Sequence, residues 1–389
     1  MTDIARSDLD LFSDELLDDP YPAYALLRST GAAVWMNRLD MWALPRYAEV
    51  RAALLDWETF SSQDAVCVGE EHNKLYTGSV LSSDPPQHGQ LRAVLAPSLA
   101  PTALTKIKAE IERRADDLVA DLVSRREFDA VGDLAAVFPV AVVADLIGLP
   151  DVERDRLLDR ADASFNIFGP VNDRAVQSMW TFPESFQYIQ TVATRERLTP
   201  GSMGAAVYAA ADRGEIGAEH CLRLMLAYLF AGMDTTVNAV SNAIWLLAQH
   251  PDQWKSVRSD QKLLAAAFEE GLRLETPVQV FGRRLKRPYV AEGVSLRAGD
   301  RVMLLYGSAN RDERRFARPD EFDVNRGLAP NLAFGMGIHL CPGQGLARLE
   351  AQAILSSLAK RVERIEVTAL RRHLNNSVRG LGELHVRVH

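Results

Sequence analysis

Between residues 103 and 126 apolar Ile107, Ile111, Leu118 and Leu122 recur at four- and seven-residue intervals among charged neighbours, the spacing of an amphipathic helix. The same period returns near 133–147, 183–197, 262–275 and 344–361. From 218 to 250, closed by Pro251, a longer stretch is apolar nearly all round at its centre, which predicts a long helix inside the protein. Strand patterns collect late, in "YVAEGVSLRAGDRVMLLYG" at 289–307 and in "RIEVTAL" and "ELHVRVH" near the end, with Gly-Asp and Gly-Leu-Gly between them; period-two runs bounded by glycine read as strands. No repeat, low-complexity tract or long polar linker interrupts the chain. The expectation is one domain over 1–389, mainly α with small β-sheets.

Composition narrows the function classes. A chain of 389 residues, 47% hydrophobic, buries a large core. A net charge of −8 gives no general attraction to nucleic acid or anionic membrane. The first twenty residues are acidic, with Asp8, Asp10, Asp14, Glu15, Asp18 and Asp19, unlike a secretory leader. The longest apolar run, "LRLMLAYLFAGM" at 222–233, contains Arg223 and is too short to cross a bilayer. A soluble, cytoplasmic protein is expected. Cys67, Cys221 and Cys341 lie far apart with no C-x-x-C pair, so neither a disulfide framework nor a zinc ribbon is expected.

The stretch "FGMGIHLCPG" at 334–343 places Cys341 among three glycines and a proline. A thiol ionises near roughly 8.5 and must lose its proton to act as ligand or nucleophile. Glycines let backbone N–H groups approach the sulfur, and a helix beginning near Gly345 would point its positive end at it. Four uses compete. The thiol could be a small buried hydrophobe, a nucleophile with His339 as base but no orienting partner, a zinc ligand lacking companions, or the single axial ligand of a haem.

Phe334, Gly337, His339, Cys341 and Gly343 match, at every spacing, the F-x-x-G-x-[HR]-x-C-x-G signature, and the chain resembles the cytochrome P-450 monooxygenases. The resemblance implies that fold, with haem b between the long central helix and the Cys341 loop, Cys341 on the iron, and Phe334, Gly337 and Gly343 around the cofactor. It implies three structural companions: Glu270 and Arg273 in "FEEGLRLETP", and Arg326 in "FDVNRG". Without the family, Glu269 would pair with Arg273 equally well on a helix surface. "AGMDTT" at 231–236 resembles the family's oxygen-binding groove: Ala231 and Gly232 would let the helix pass close to the haem, and Asp234 with Thr235 would deliver protons to O2. His88 and Arg92, four apart in "SDPPQHGQLR", together with Arg283 and His339, match the family's contacts to the haem propionates.

The matched motifs span essentially the whole chain and leave no room for a fused reductase, so electrons are expected from a separate ferredoxin and its reductase. Lys106, Lys108, Arg113, Arg114, Arg348, Lys360 and Arg361 are candidates for docking an acidic ferredoxin, against the plain alternative of solvated charges. "FNIFGP", "DTTVNAV", "TPVQVF", "GSANRDERR" and "NNSVRGL" resemble the bacterial subgroup that O-demethylates para-methoxybenzoates. That resemblance makes Phe165, Phe168, Ala227, Phe230, Val278 and Phe281 candidate substrate contacts. Where the subgroup carries cationic or hydroxyl side chains for a carboxylate, this chain has Gln63, Ala227 and Phe230. An unpartnered carboxylate would be costly there. Arg223, on nearly the same helix face as Asp234 but eleven residues earlier, could meet only a longer acid. The expected reaction is insertion of one oxygen atom from O2 into a small, mostly neutral aromatic, by O-demethylation of a methoxyarene or hydroxylation of an alkyl arene. Peroxygenase chemistry on the same haem, a haem protein that binds or senses without turnover, and a haem-free cysteine hydrolase are the alternatives.

Overall fold

The computed structural model describes residues 4–327 and 330–389. Its axis is the helix Glu219–Gln249, which buries most of its side chains from Cys221 to Leu247. No face of that stretch needs water. His250 ends it, and Pro251, which has no N–H to give the preceding turn, opens the separate helix Pro251–Ser259. Helices Val137–Ile147, Leu157–Phe168 and Leu263–Leu274 pack around the axis.

The amphipathic pattern near 103–126 forms the helix Pro101–Arg125. Leu104, Ile111, Ala115, Val119 and Leu122 are buried, with Ile107 and Leu118 packed at the margin. This face lies on the helix Gln344–Arg361 that follows the Cys341 loop. At about 1.5–3 kcal/mol for each large aliphatic side chain removed from water, the buried face rather than helix propensity holds it.

Several expectations shift. The pattern over 133–147 is two pieces, a π-helical turn Ala130–Ala135 and the α-helix Val137–Ile147. The helix expected over 183–197 runs Asp173–Thr191 instead, capped by the Asn172 side chain, which accepts from the Ala175 N–H at 3.1 Å. Pro183 lies inside it. Longer than the 222–233 run is the apolar stretch Ala130–Ile147, mean hydropathy 2.0, which by length and composition alone could cross a membrane; 56% of it is buried inside the fold.

Strands Arg6–Ser7, Val34–Met36, Met41–Leu44, Arg301–Leu305, Val280–Leu285 and Phe60–Ser61 form one mixed sheet in that spatial order. The run 289–307 divides into a hairpin, Tyr289–Ala291 with Val294–Leu296, and the strand Arg301–Leu305. At the C-terminus Ile365–Leu374 and Arg379–Val388 pair antiparallel, and Glu127–Asp129 joins them. In strand Val280–Leu285, Phe281 and Arg283 are two residues apart and point to one face. Both reach the cavity between the sheet and the central helix.

Candidate functional site

A cavity of about 290 Å³ lies between the central helix and the loop 334–343. The Cys341 N–H donates to the Phe334 carbonyl at 2.9 Å, closing the loop. Gly335 and Gly337 take φ of +69° and +68°, and a Cβ on Gly337 would stand 2.3 Å from the Leu54 carbonyl oxygen. Only glycine follows that path against helix Tyr47–Leu55. The Arg348 guanidinium covers the Phe334 ring at 4.5 Å. Burial pushes the Cys341 thiol up, opposed by the Gly343 N–H, Arg92, the Gln344 N–H and Arg348. These groups favour a thiolate once a metal takes the proton's place.

Four cationic or imidazole side chains converge beside the loop. His88 and His339 meet edge to face, ring centroids 4.5 Å apart, and the Nε2 atom of each is buried without a partner. Arg92 donates to the Leu340 carbonyl, and the buried Arg283 donates to the Gly282 carbonyl at 2.7 Å. All four line the cavity. Burial and then Arg283 hold the His339 imidazolium down to about 2. His339 Nε2 makes no hydrogen bond to Cys341 or to any other group among the described residues, so the nucleophile–base pair of a cysteine hydrolase is not assembled here.

Behind the loop, Glu270 accepts two hydrogen bonds from Arg273 at 2.8 Å each and one from Arg326 Nε at 2.9 Å. The Asp323 N–H adds a fourth at 3.1 Å. Glu269, equivalent on paper, accepts instead from Arg348 Nε at 2.5 Å and Asn331 Nδ2 at 3.0 Å.

On the central helix Ala231, Gly232 and Thr235 line the cavity. A Cβ on Gly232 would approach Val143 Cγ1 at 3.1 Å, so its smallness serves a neighbouring helix rather than a flat cofactor alone. Thr235 Oγ1 donates to the Ala231 carbonyl at 2.9 Å without breaking the helix. Asp234, expected to face the oxygen site, is not among the cavity-lining residues. Its Oδ1 accepts from Asn238 Nδ2 at 3.1 Å, and its buried Oδ2 has no partner. Burial, then the charge of Asp162, pushes its carboxyl up to about 7, while His373 opposes. His373 Nε2 lies 2.6 Å from Asp162 Oδ1, which raises the imidazole. Position 234 stands at nearly the helix angle of Arg223 and Ala227, but at its level that face meets Asp162 and His373 rather than the cavity.

The distal wall is aromatic. Phe165, Phe168, Ala227, Phe230, Val278 and Phe281 all line the cavity. Phe168 meets Phe281 edge-on at 5.2 Å and stacks on Tyr76 at 4.2 Å; Phe182 sits 5.9 Å from Phe230 and 5.3 Å from Phe186. Arg223, read from sequence as able to meet a longer acid, lines the cavity as well; Tyr76, Phe182 and Phe186 carry no sequence signal as cavity walls, because aromatics on separate elements read as core until the fold brings them together. Gln63, expected beside Ala227 and Phe230, is exposed and outside the lining. Glu350, also unforeseen, reaches the cavity fully buried with both carboxyl oxygens unpartnered, and burial pushes it well up. It sits nine residues past Cys341 on a helix whose sequence reads as amphipathic and exposed.

The basic candidates cluster over the helices Pro101–Arg125 and Gln344–Arg361, where Lys108, Arg113, Arg348 and Lys360 line a groove with Lys262. Most are neutralised: Arg113 by Glu110 and Asp117, Arg114 by Asp145, Arg348 by Glu269, Arg361 by Asp116, and Lys108 by Glu112 at 3.7 Å. Among the described residues Lys106, Lys262 and Lys360 form no ion pair.

One thiol at the floor of an apolar cavity, cations at its edge and a small-residue helix across it define a haem-thiolate oxygenase, and the chain belongs to the cytochrome P450 family. The family model "Cytochrome P450" matches residues 202–367. The chain is 36% identical, over 98% of its length and 93% of the relative's, to "Cytochrome p450 CYP199A2" of Rhodopseudomonas palustris. It is 30% identical, over 98% of its length and 78% of the relative's, to the "Beta-dihydromenaquinone-9 omega-hydroxylase" of Mycobacterium tuberculosis. Among solved structures it resembles cytochrome P450 CREJ in complex with (4-ethylphenyl) dihydrogen phosphate, TM-score 0.84 at 28% identity, covering 96% of this chain and 98% of that one. The protein is thus a monooxygenase, an oxidoreductase that uses haem b with a cysteine thiolate ligand and O2. The site fits that group. Haem b brings two carboxylates, and the cavity edge offers two arginines and two unpartnered imidazole nitrogens. Among the described residues no cluster of three or more His, Cys, Asp or Glu is placed to hold a bare metal ion.

Proposed function

We propose that the chain, as one domain, oxidises small arenes, with O-demethylation of a methoxyarene or hydroxylation of an alkyl arene as the reaction. The observation that carries this reading is the ring of Tyr76, Phe165, Phe168, Phe182, Phe230 and Phe281 around the cavity that ends on Cys341. Aromatic walls favour a flat apolar guest, through edge and face contacts of about 0.5–1.5 kcal/mol each beyond area. Ala227 and Phe230 present nothing to an anion near the reacting end.

When bound, haem supplies the activation of O2 that lets an unactivated C–H bond be oxidised. Cys341 would hold it through the thiolate, with Arg92, Arg283, His88 and His339 on its carboxylates. Glu270, Arg273 and Arg326 would keep the loop's underside rigid. Phe168 and Phe281 would position the ring, and Thr235 would present its hydroxyl over the reacting face. A carboxyl near pH 7 in its titration both gives and takes a proton under working conditions. Asp234 therefore suits proton supply, reaching Thr235 by a turn about its Cα–Cβ bond or across one water. For a methoxyarene the balance is Ar–O–CH3 + O2 + 2 e⁻ + 2 H⁺ → Ar–OH + HCHO + H2O. The electrons come from a separate ferredoxin and reductase in the cytoplasm, docking over Lys106, Lys262 and Lys360.

The test is the absorption spectrum of reduced, CO-treated protein, followed by formaldehyde assay over a panel of methoxyarenes. Wild type is expected to give the long-wavelength thiolate band and Cys341→Ser to lose it. No formaldehyde from arenes that bind would remove the demethylation. A second reading, peroxide-driven oxidation, is favoured by the position of Asp234 outside the cavity lining. Faster turnover with peroxide than with ferredoxin would put it first.

A further inference from the structure

Buried arginines elsewhere in this fold are neutralised by carboxylates: Arg28 by Glu313 at 2.9 Å, Arg273 and Arg326 by Glu270, Arg311 and Arg379 by Glu275 at 2.8 Å. Three arginines that line the cavity, Arg92, Arg223 and Arg283, have no carboxylate in ion-pair contact among the described residues. Arg92 and Arg283 stand at the haem-carboxylate end. Arg223 stands at the other end and answers to nothing the cofactor brings.

Arg223, Leu226, Ala227, Phe230 and Ala231 follow one face of the central helix and all line the cavity. The half-buried guanidinium of Arg223 donates from Nη1 to the Leu75 carbonyl and lies over the Phe186 ring at 5.3 Å, which leaves Nε and Nη2 without an acceptor among the described residues. A cation in such surroundings attracts an anion more strongly than an exposed one, because little water screens it. We propose that Arg223 anchors an anionic oxygen group, a carboxylate or a phosphate monoester, at the end of the substrate remote from the oxidised carbon. This rests on the arene reading above and refines it: the ring and its reacting substituent are neutral, and the charge sits on a spacer.

Length sets the spacer. Arg223 precedes Ala231 by eight residues, about 12 Å of axial rise. In a para-methoxybenzoate the methyl and carboxyl carbons are only roughly 7 Å apart, by ordinary bond lengths. Three or four methylenes between ring and acid close the gap.

The test titrates haem-loaded protein with 4-methoxyphenyl acids carrying zero to four methylenes, with their methyl esters, and with the phosphate monoesters of the corresponding alcohols. Binding is read from the shift of the haem absorption and from calorimetry. Affinity is expected to rise about tenfold or more from the benzoate to the three- or four-methylene acid, with no such rise among the esters. Arg223→Gln should weaken the best acid about tenfold and leave its ester within about twofold, Arg223→Lys should keep most of the affinity, and both should retain the thiolate CO band. Tighter binding of the phosphate than the acid keeps the anchor and assigns it phosphate. Esters binding as tightly as acids, or equal weakening of both by Arg223→Gln, overturns the anchor alone. If neither acids nor esters perturb the haem, the arene reading falls and the anchor with it.

Discussion

Glu270 and Asp234 are both buried carboxylates, on helices that face the same cavity, yet their surroundings differ completely. Glu270 accepts from Arg273, Arg326 and the Asp323 N–H, four hydrogen bonds in all. Asp234 accepts one, from Asn238, and leaves Oδ2 bare. The first arrangement locks the frame beneath the Cys341 loop. The second leaves a carboxyl poised near 7, expensive as an anion and available for proton traffic. Paired charge builds the rigid side of this molecule, and unpaired polar groups mark the side that handles substrate and protons.

The sharpest way to break that comparison is Glu270→Ala, which strands the buried guanidinium of Arg273 and the partly exposed one of Arg326. A loss of about 3–5 kcal/mol in urea unfolding, with failure to retain haem, is expected. A variant within about 1 kcal/mol of wild type would mean the frame does not depend on the pairing. Next comes Gly337→Ala, where a left-handed φ and a Cβ at 2.3 Å from the Leu54 oxygen combine. About 2–3 kcal/mol and a weakened thiolate CO band should follow.

Asp234→Asn probes the other side, and its sign is opposite. The carboxyl is raised above its unfolded value of 3.8, so the folded state keeps a proton that the unfolded chain releases. Its stabilising contribution is complete below about pH 4 and lost as pH rises through about 7. The amide removes that dependence, so its melting temperature should exceed wild type at pH 8 and show no such gain at pH 4. Product formed per electron pair should fall by about 10²-fold. A variant that is less stable at pH 8, or that stays fully coupled, would place Asp234 with Glu270 as framework. Smaller still is Phe182→Leu in the aromatic wall, at about 1 kcal/mol, read best as a changed product ratio from an alkyl arene. Gln63→Ala, on the surface, should stay within about 0.5 kcal/mol and leave substrate affinity alone.

Legibility in the sequence divides along the same line. The Cys341 loop could be read because a thiolate ligand, its N–H donors and its glycines must lie within ten consecutive residues. The central helix was legible from its all-round apolar middle. Glu270 was separable from Glu269 only by resemblance, since both stand at helical distances from Arg273, and the fold gives Glu269 a different partner in Arg348. Helix Asp173–Thr191 begins ten residues before the expected 183–197, because the periodic pattern records only the buried stripe while the start is set by the Asn172 cap, and Pro183 is accommodated inside it. The aromatic wall escaped because Tyr76 and the pair Phe182 and Phe186, four apart on helix Asp173–Thr191, stand about a hundred residues apart in the chain.

By itself, then, the sequence determined the cysteine loop, the long helix and the helical class, because each rests on a pattern within one loop or one helix; the set His88, Arg92, Arg283 and His339, drawn from separate segments, was implied only by the family resemblance. Only the tertiary structure decided that Asp234 does not line the cavity, that Gln63 is outside it, and that, among the described residues, Arg223 is inside it with no carboxylate to pair it and Glu350 inside it with both carboxyl oxygens unpartnered. Whether a charge is paired or bare depends on what distant segments bring within about 3 Å of it, and no local pattern records that distance.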